Sequence, residues 1–216
     1  MKHLFKLFLL TIFITNSVKT FAQKDTLRVL FVGNSYTYYS EMPKIVSVLS
    51  KSTSTYIETV MSTAGGLRLK YHFNQERGLK TKELIKNGNF DIVVLQEQSM
   101  GTITSKKEFF EYAKKLSEYI KKHNAKPYFF VTWARKNTPG IQKIITKAYK
   151  KAAKENNGVA VLVGEAWKKA KKRQRTLNLF DPDGSHPNAI GSFLSACVFV
   201  KTITGKVPKK CEAYNY

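Results

Sequence analysis

Cysteine, acidic residues and long apolar runs are all scarce in this 216-residue sequence. Two cysteines are too few for a disulfide-framework miniprotein or for a four-cysteine zinc site. The apolar run at residues 7–15 is far shorter than the ~20 residues that cross a bilayer. The sequence has 15 acidic residues and 37 lysines and arginines. The resulting formal charge of +22 bears on partners and solubility rather than on fold. Apolar residues still make up 43%, which is enough to bury a core and excludes a wholly disordered chain.

The first 22 residues have the layout of a secretory signal peptide. A short segment with two lysines precedes the apolar run, and small residues then lead to a cleavage site after Ala22. An amphipathic N-terminal helix is the alternative, but the segment has no polar stripe at helical spacing. We therefore expect a signal peptide at 1–22, one domain at 23–216, and a secreted or periplasmic protein.

Export would expose the two cysteines to an oxidising compartment. Cys197 and Cys211 are close enough in sequence for one bridge, which would tie the C-terminal tail to the last helix. The alternative is that Cys197 is simply a small buried apolar side chain. Both interpretations stay open.

From residue 27 onward, apolar runs of strand length alternate with helical patterns. The predicted strands are continuous apolar runs, which suit strands covered on both faces: 27–33, 56–61, 91–95, 127–133 and 159–163. The predicted helices lie at 43–50, 79–87, 105–123, 138–155, 165–175 and 189–204. This order predicts a single-domain α/β three-layer sandwich, with a five-stranded parallel sheet of flavodoxin-like type and helices on both faces. Ligands of such sheets bind beyond the carboxyl ends of the strands, so the loops there are where chemistry is expected.

The loop after the first strand reads Gly33-Asn34-Ser35-Tyr36-Thr37. A serine in this place can present its hydroxyl at the edge of the sheet, next to the N–H groups that begin a helix. The loop is not a phosphate-binding P-loop, because it lacks the Gly-Lys-Ser/Thr ending. The alternative role for Ser35 is to cap the following helix.

The loop before the last helix, residues 181–187, reads Asp-Pro-Asp-Gly-Ser-His-Pro. Asp183 lies three residues before His186 and could fold back on the imidazole, which fixes its tautomer in nucleophilic hydrolases. A surface histidine in a turn is the alternative. His123 belongs to a basic helix end, whereas His72 lies in an aromatic stretch and could line a pocket.

Together, the serine and histidine loops resemble the motif blocks of the SGNH (GDSL-like) hydrolase family, in the branch whose first block reads Gly-Asn-Ser-x-Thr. Residues 33–37 match the first block, residues 183–187 match the last, and the resemblance covers essentially all of 23–216. The third block departs from the family pattern: Gly-x-Asn-Asp is absent, and residues 95–99 read Leu-Gln-Glu-Gln-Ser.

The resemblance implies a serine esterase that works through an acyl-enzyme, with no metal and no organic cofactor. Ser35 would be the nucleophile, His186 the general base and Asp183 the residue that orients the imidazole. The oxyanion hole would take its N–H donors from three places: the backbone of Ser35, the backbone of Gly65 or Gly66, and the side-chain amide of Gln96 or Gln98. Gln96 is the favoured amide, because it lies directly at the strand terminus.

Two other carboxylates stay open as partners of His186, namely Asp181 and Glu165. Three side chains on or near the strand-end loops are expected to bind substrate, as a platform for a sugar ring or an acyl group: Tyr36, His72 and Trp133. The alternative is that they are ordinary core or rim residues.

Basic residues cluster in two helical segments, 143–154 and 168–175. A solvated helix face is the simplest interpretation, and contact with an anionic glycan or a membrane surface is the functional one. Nucleic-acid binding is not favoured, because the sequence has no recognised nucleic-acid motif and export argues against it. We expect a small-molecule or carbohydrate ester as substrate. The rival hypothesis is a catalytically silent module of the same fold that binds an anionic glycan or surface polymer through its basic face.

Overall fold

A computed structural model of the chain, which describes residues 25–209, has five parallel strands in one sheet. The strands are β1 (Asp25–Gly33), β2 (Thr55–Thr63), β3 (Ile92–Leu95), β4 (Lys126–Phe130) and β5 (Val159–Val161). Their spatial order is β2-β1-β3-β4-β5. This is the flavodoxin-like order, so the predicted fold class is confirmed.

Helices connect the strands. They are α1 (Ser35–Tyr38), α2 (Met42–Ser50), α3 (Leu69–Asn74), α4 (Thr81–Asn87), α5 (Gly101–Thr104), α6 (Lys106–Lys122), α7 (Gln142–Glu155), α8 (Val163–Arg173) and α9 (Ala189–Thr204). The short helices α1, α3 and α5 were not predicted, because four to six residues are too few to reveal a helical period.

Two apolar cores lie on opposite faces of the sheet. On one face, alternate strand residues such as Val29 and Phe31 pack against helices α2, α8 and α9. On the other face, the intervening residues, such as Leu30 and Val32, pack against α3, α4, α6 and α7. Because both faces of the strands are buried, the strands read as continuous apolar runs rather than as alternating ones.

Several predictions fall on parts of the chain outside residues 25–209. The predicted signal peptide at 1–22 and Cys211 both lie there, so the cleavage site and the bridge to Cys197 stay predictions. Cys197 itself is half-buried on α9. Within residues 25–209, no helix has the length and apolar character needed to span a bilayer.

Candidate active site

The loop after β1 holds Ser35 at the carboxyl edge of the sheet, as the first residue of α1. Asn34, not Ser35, caps this helix: its side-chain oxygen accepts a hydrogen bond from the Tyr36 N–H at 3.1 Å. The Asn34 amide also donates to the Leu67 carbonyl at 2.8 Å. Because Asn34 satisfies the helix end, the Ser35 hydroxyl is left available for another partner.

The loop before α9 brings His186 to the same edge. An isolated antiparallel bridge between Phe180 and Pro187 closes the base of this loop, and the Asp181 N–H donates to the His186 carbonyl at 3.0 Å. Nε2 of His186 lies 2.8 Å from Oγ of Ser35, although the two residues are 151 positions apart in the chain. The structure therefore brings together the hydroxyl and the imidazole that the sequence singled out.

Asp183 holds the other side of the imidazole. Its Oδ2 lies 2.5 Å from Nδ1 of His186, and its Oδ1 accepts the backbone N–H groups of Ser185 and His186, each at 2.9 Å. Desolvation alone would raise the pKa of Asp183, but the Ser185 N–H and the His186 hydrogen bonds outweigh it and hold the pKa at about 2. The carboxylate is therefore ionised at neutral pH. It keeps the proton of a neutral imidazole on Nδ1 and leaves the Nε2 lone pair facing Ser35.

Of the three carboxylates considered for this role, only Asp183 contacts His186 in the part of the chain that the structure describes. Glu165 lies on α8 and accepts a hydrogen bond from the Thr146 hydroxyl at 2.6 Å. Asp181 meets His186 through its backbone N–H. The geometry therefore favours Asp183 as the orienting residue.

An open pocket of about 170 Å³ lies in front of Ser35 and His186. Its lining is polar: Asn34, Ser35, Tyr36, Gly66, Gln98, Ser99, Arg135, Ser185 and His186. Of the two glycines proposed for the oxyanion hole, Gly66 lines the pocket, with a positive φ of 67° that suits glycine. Gly65 is not part of the lining.

The side chain of Gln96 is turned away from the pocket, which corrects its favoured place in the oxyanion hole. It is fully buried, and its Oε1 accepts hydrogen bonds from the Asn34 N–H and the Thr37 hydroxyl, both at 2.9 Å. Its Nε2 donates to the Glu97 carbonyl. A Cβ at Gly33 would lie 2.5 Å from Gln96 Oε1, so only glycine leaves room for this arrangement. Gln96 therefore fixes the nucleophile loop from beneath.

Gln98 is the glutamine that lines the pocket. Its Oε1 accepts the Met100 N–H at 2.9 Å, which turns the amide nitrogen toward the Ser99 hydroxyl at 3.2 Å. A primary amide has two N–H donors, so one remains for a ligand.

Aromatic rings support the two loops from below. Tyr36 lines the pocket, and its hydroxyl lies 2.6 Å from Oγ of Ser185. Trp133 is only 2% exposed and does not line this pocket; it stacks under Tyr36 with centroids 4.7 Å apart and donates its indole N–H to the Ser185 carbonyl. Trp133 therefore supports the two loops and lies outside the pocket of Ser35, which corrects its expected place there. Tyr39 stacks on the His186 ring, with centroids 4.4 Å apart.

His72 is fully buried, which corrects the expectation that it binds substrate. Nε2 of His72 lies 2.9 Å from the Gly33 carbonyl and therefore carries the proton, whereas Nδ1 faces the Thr81 hydroxyl at 2.9 Å. Burial lowers the pKa of His72 to about 4, although the Gly33 hydrogen bond opposes that shift. His72 is thus a neutral support beneath the end of β1.

Glu97 is a second buried titratable group beneath the site, and the sequence analysis did not single it out. Its carboxylate accepts the backbone N–H groups of Leu69 at 3.2 Å and Gln98 at 2.8 Å, so it links α3 to the loop after β3. Burial raises the pKa of Glu97 to about 7, against the lowering effect of these two N–H groups and of Arg68.

Three pocket residues were missed by sequence reasoning, namely Ser99, Arg135 and Ser185. The available signal was position, since each follows a strand or lies within the histidine loop at the same edge of the sheet. Among residues 25–209, no cluster of three or more histidine, cysteine or acidic side chains is arranged to hold a metal ion.

No protein-family model and no curated protein matches the sequence. Solved structures do match. A protein from Slackia heliotrinireducens, described as a candidate SGNH hydrolase, is 26% identical with a TM-score of 0.72; the match covers 83% of this chain and 100% of that one. The predicted resemblance to the SGNH family is therefore confirmed, whereas its Gly-Asn-Ser-x-Thr branch stays a prediction.

More distant structures have the same fold. A variant of an acetyl xylan esterase from Geobacillus stearothermophilus is 15% identical with a TM-score of 0.65, covering 87% of this chain and 100% of that one. The psychrotrophic esterase EstA from Pseudoalteromonas is 14% identical with a TM-score of 0.62, covering 82% and 97%. At these identities the likeness shows the shared fold.

Proposed function

We propose that this chain, an SGNH hydrolase by fold, is an exported serine esterase that removes a small acyl group from a carbohydrate. The observation that carries the proposal is the contact of 2.8 Å between Ser35 Oγ and His186 Nε2, backed by Asp183 on Nδ1. A catalytically silent binding module is not favoured, because such a module has no need for this aligned set of side chains.

In the first half-reaction, Ser35 Oγ attacks the acyl carbon while His186 Nε2 takes the hydroxyl proton. Asp183 stabilises the imidazolium that results. The ester C–O bond then breaks, and His186 passes the proton to the leaving alcohol oxygen. In the second half-reaction, a water molecule attacks the acyl carbon of the acyl-enzyme while His186 Nε2 takes its proton. The bond to Ser35 Oγ then breaks, His186 returns the proton to Oγ, and the acid is released.

Negative charge on the tetrahedral intermediate needs hydrogen-bond donors at the pocket floor. Ser35 is the first residue of α1, so its N–H has no partner within that helix. The backbone of Gly66 and the amide of Gln98 line the same pocket. These three groups form the proposed oxyanion hole.

The small pocket in front of Ser35 favours a short acyl group. A carbohydrate alcohol is supported by the acetyl xylan esterases among the structural neighbours. Export rests on the pattern of residues 1–22.

Covalent labelling tests the proposal directly. A fluorophosphonate should add one phosphonyl group to the peptide that contains Ser35, because the reagent traps activated serine nucleophiles. Intact-protein and peptide mass spectrometry would measure this. A protein that stays unlabelled, or a label on a different serine, would contradict the assignment of Ser35.

The two glutamines at the end of β3 should respond differently to substitution by alanine. Gln98→Ala should lower kcat by about 10²–10³-fold with little change in stability, because it removes an oxyanion donor. Gln96→Ala should lower the free energy of unfolding by about 1–3 kcal/mol, because it leaves the Asn34 N–H and the Thr37 hydroxyl without their acceptor. Ester kinetics and urea unfolding of both variants would measure this, and an unchanged kcat in Gln98→Ala would remove that residue from the oxyanion hole.

A further inference from the structure

Arg135 is the one permanently charged side chain among the described residues that line the pocket of Ser35. It follows β4 at the carboxyl edge of the sheet. Its Nη2 donates to the Ser99 hydroxyl at 2.8 Å, which holds the guanidinium against the pocket wall. No aspartate or glutamate lines this pocket, since Asp183 lies behind the imidazole.

In the part of the chain that the structure describes, the guanidinium of Arg135 has no counter-ion. Within residues 25–209, no carboxylate forms an ion pair with Arg135. Its Nε is buried and has no hydrogen-bond partner there. A partly desolvated cation without an opposite charge is costly to maintain, and an anionic ligand would offset that cost.

A second groove, of about 140 Å³, shares Arg135 with the first. Lys168 and Lys171 of α8 lie along it, and its described lining has no acidic residue. The two adjoining grooves therefore place three cations, and no carboxylate, on a path that leads away from Ser35.

We propose that the natural substrate is an ester of an acidic sugar, whose carboxylate binds Arg135 while Ser35 attacks the acyl carbon. This inference rests on the proposed esterase function and names its substrate class. The carboxylate is assigned to the alcohol part of the ester, because the pocket in front of Ser35 takes the acyl group and Arg135 connects that pocket with the second groove. A planar guanidinium pairs with a carboxylate through two parallel hydrogen bonds, which gives direction as well as attraction.

Two esters that differ in one group test this assignment. Monoacetylated methyl glucuronide and monoacetylated methyl glucoside have the same acetyl ester, and only the first carries a carboxylate. The wild type should hydrolyse the glucuronide with a kcat/KM about tenfold or more above that of the glucoside at equal ionic strength. Arg135→Gln should abolish this preference, and Arg135→Lys should keep part of it, because lysine retains the charge without the planar fork.

Lys136→Gln is the matched control. It removes the same charge one position away, from an exposed side chain that does not line either groove, and should keep the preference. Urea unfolding shows that each variant is folded, and the ratio of the two sugar rates is compared within each variant, so a general change in activity does not affect it. Equal rates on the two sugars, or a preference that survives Arg135→Gln, would overturn the inference while leaving the esterase intact. Failure of the wild type to cleave either sugar ester or p-nitrophenyl acetate would overturn the proposed function, and this inference with it.

Discussion

Ser35→Ala should lower kcat for p-nitrophenyl acetate by at least about 10⁴-fold, because it removes the atom that forms the acyl-enzyme. His186 and Asp183 would remain in contact, since Asp183 is fixed by two backbone N–H groups that do not depend on Ser35. The remaining rate would come from binding and the oxyanion donors alone. Initial-rate kinetics with both proteins at equal concentration would measure the effect.

Ser54→Ala provides the matched control for this experiment. Ser54 is exposed and directly precedes β2, so it lies at the amino edge of the parallel sheet, opposite the edge that holds Ser35. Its substitution should leave kcat unchanged. If Ser35→Ala hydrolysed the ester as fast as Ser54→Ala, the serine mechanism would be refuted.

His72 should make the protein less stable as pH falls from about 6.5 to about 4. Its pKa is lowered from 6.5 to about 4 by burial, so in this window the unfolded chain binds a proton that the folded protein excludes. Stability from this group is fully present above pH 6.5 and is lost as pH falls toward 4. The shift corresponds to about 3 kcal/mol. Glutamine does not titrate in this range. As pH falls from 6.5 to 4, the free energy of unfolding of His72→Gln should therefore rise by about 3 kcal/mol relative to that of the wild type. Urea unfolding at several pH values would measure this.

Glu97 provides a counterpart of opposite sign. Its pKa is raised to about 7, so its contribution is present below pH 4.5 and is lost as pH rises through 7. Glu97→Gln should therefore gain stability relative to the wild type as pH rises.

The His72 prediction would be contradicted by parallel pH profiles for the wild type and His72→Gln. Such profiles would mean that the buried imidazole does not control acid stability.

The five-stranded parallel sheet and the place of the chemistry could be predicted, because both follow from the apolar runs and from the alternation of strands with helices. Each predicted strand has a counterpart. The strand β4 was expected to reach residue 133 but ends at Phe130, which is also its last residue paired with β5, opposite Val161. Ser35 and His186 were found because Ser35 comes directly after β1 and His186 comes shortly before α9, at the same edge of the sheet.

The direction of individual side chains could not be predicted in the same way. Gln96 and Gln98 are two residues apart just beyond a strand, and sequence alone does not say which of them turns under Gly33. His72 was misjudged because α3 is only six residues long, so its inward face has no visible period. Both errors concern buried polar groups whose partners come from distant parts of the chain.

The stack of rings beneath the site also determines how the protein can be observed. Trp133 and Trp167 lie face to face, with centroids 3.9 Å apart and planes at 3°, and they are the two tryptophans of the sequence. Intrinsic indole fluorescence therefore arises entirely from this pair, one ring away from Tyr36 and the pocket. Tryptophan fluorescence should therefore report changes in the packing beneath the serine and histidine loops rather than changes at the protein surface.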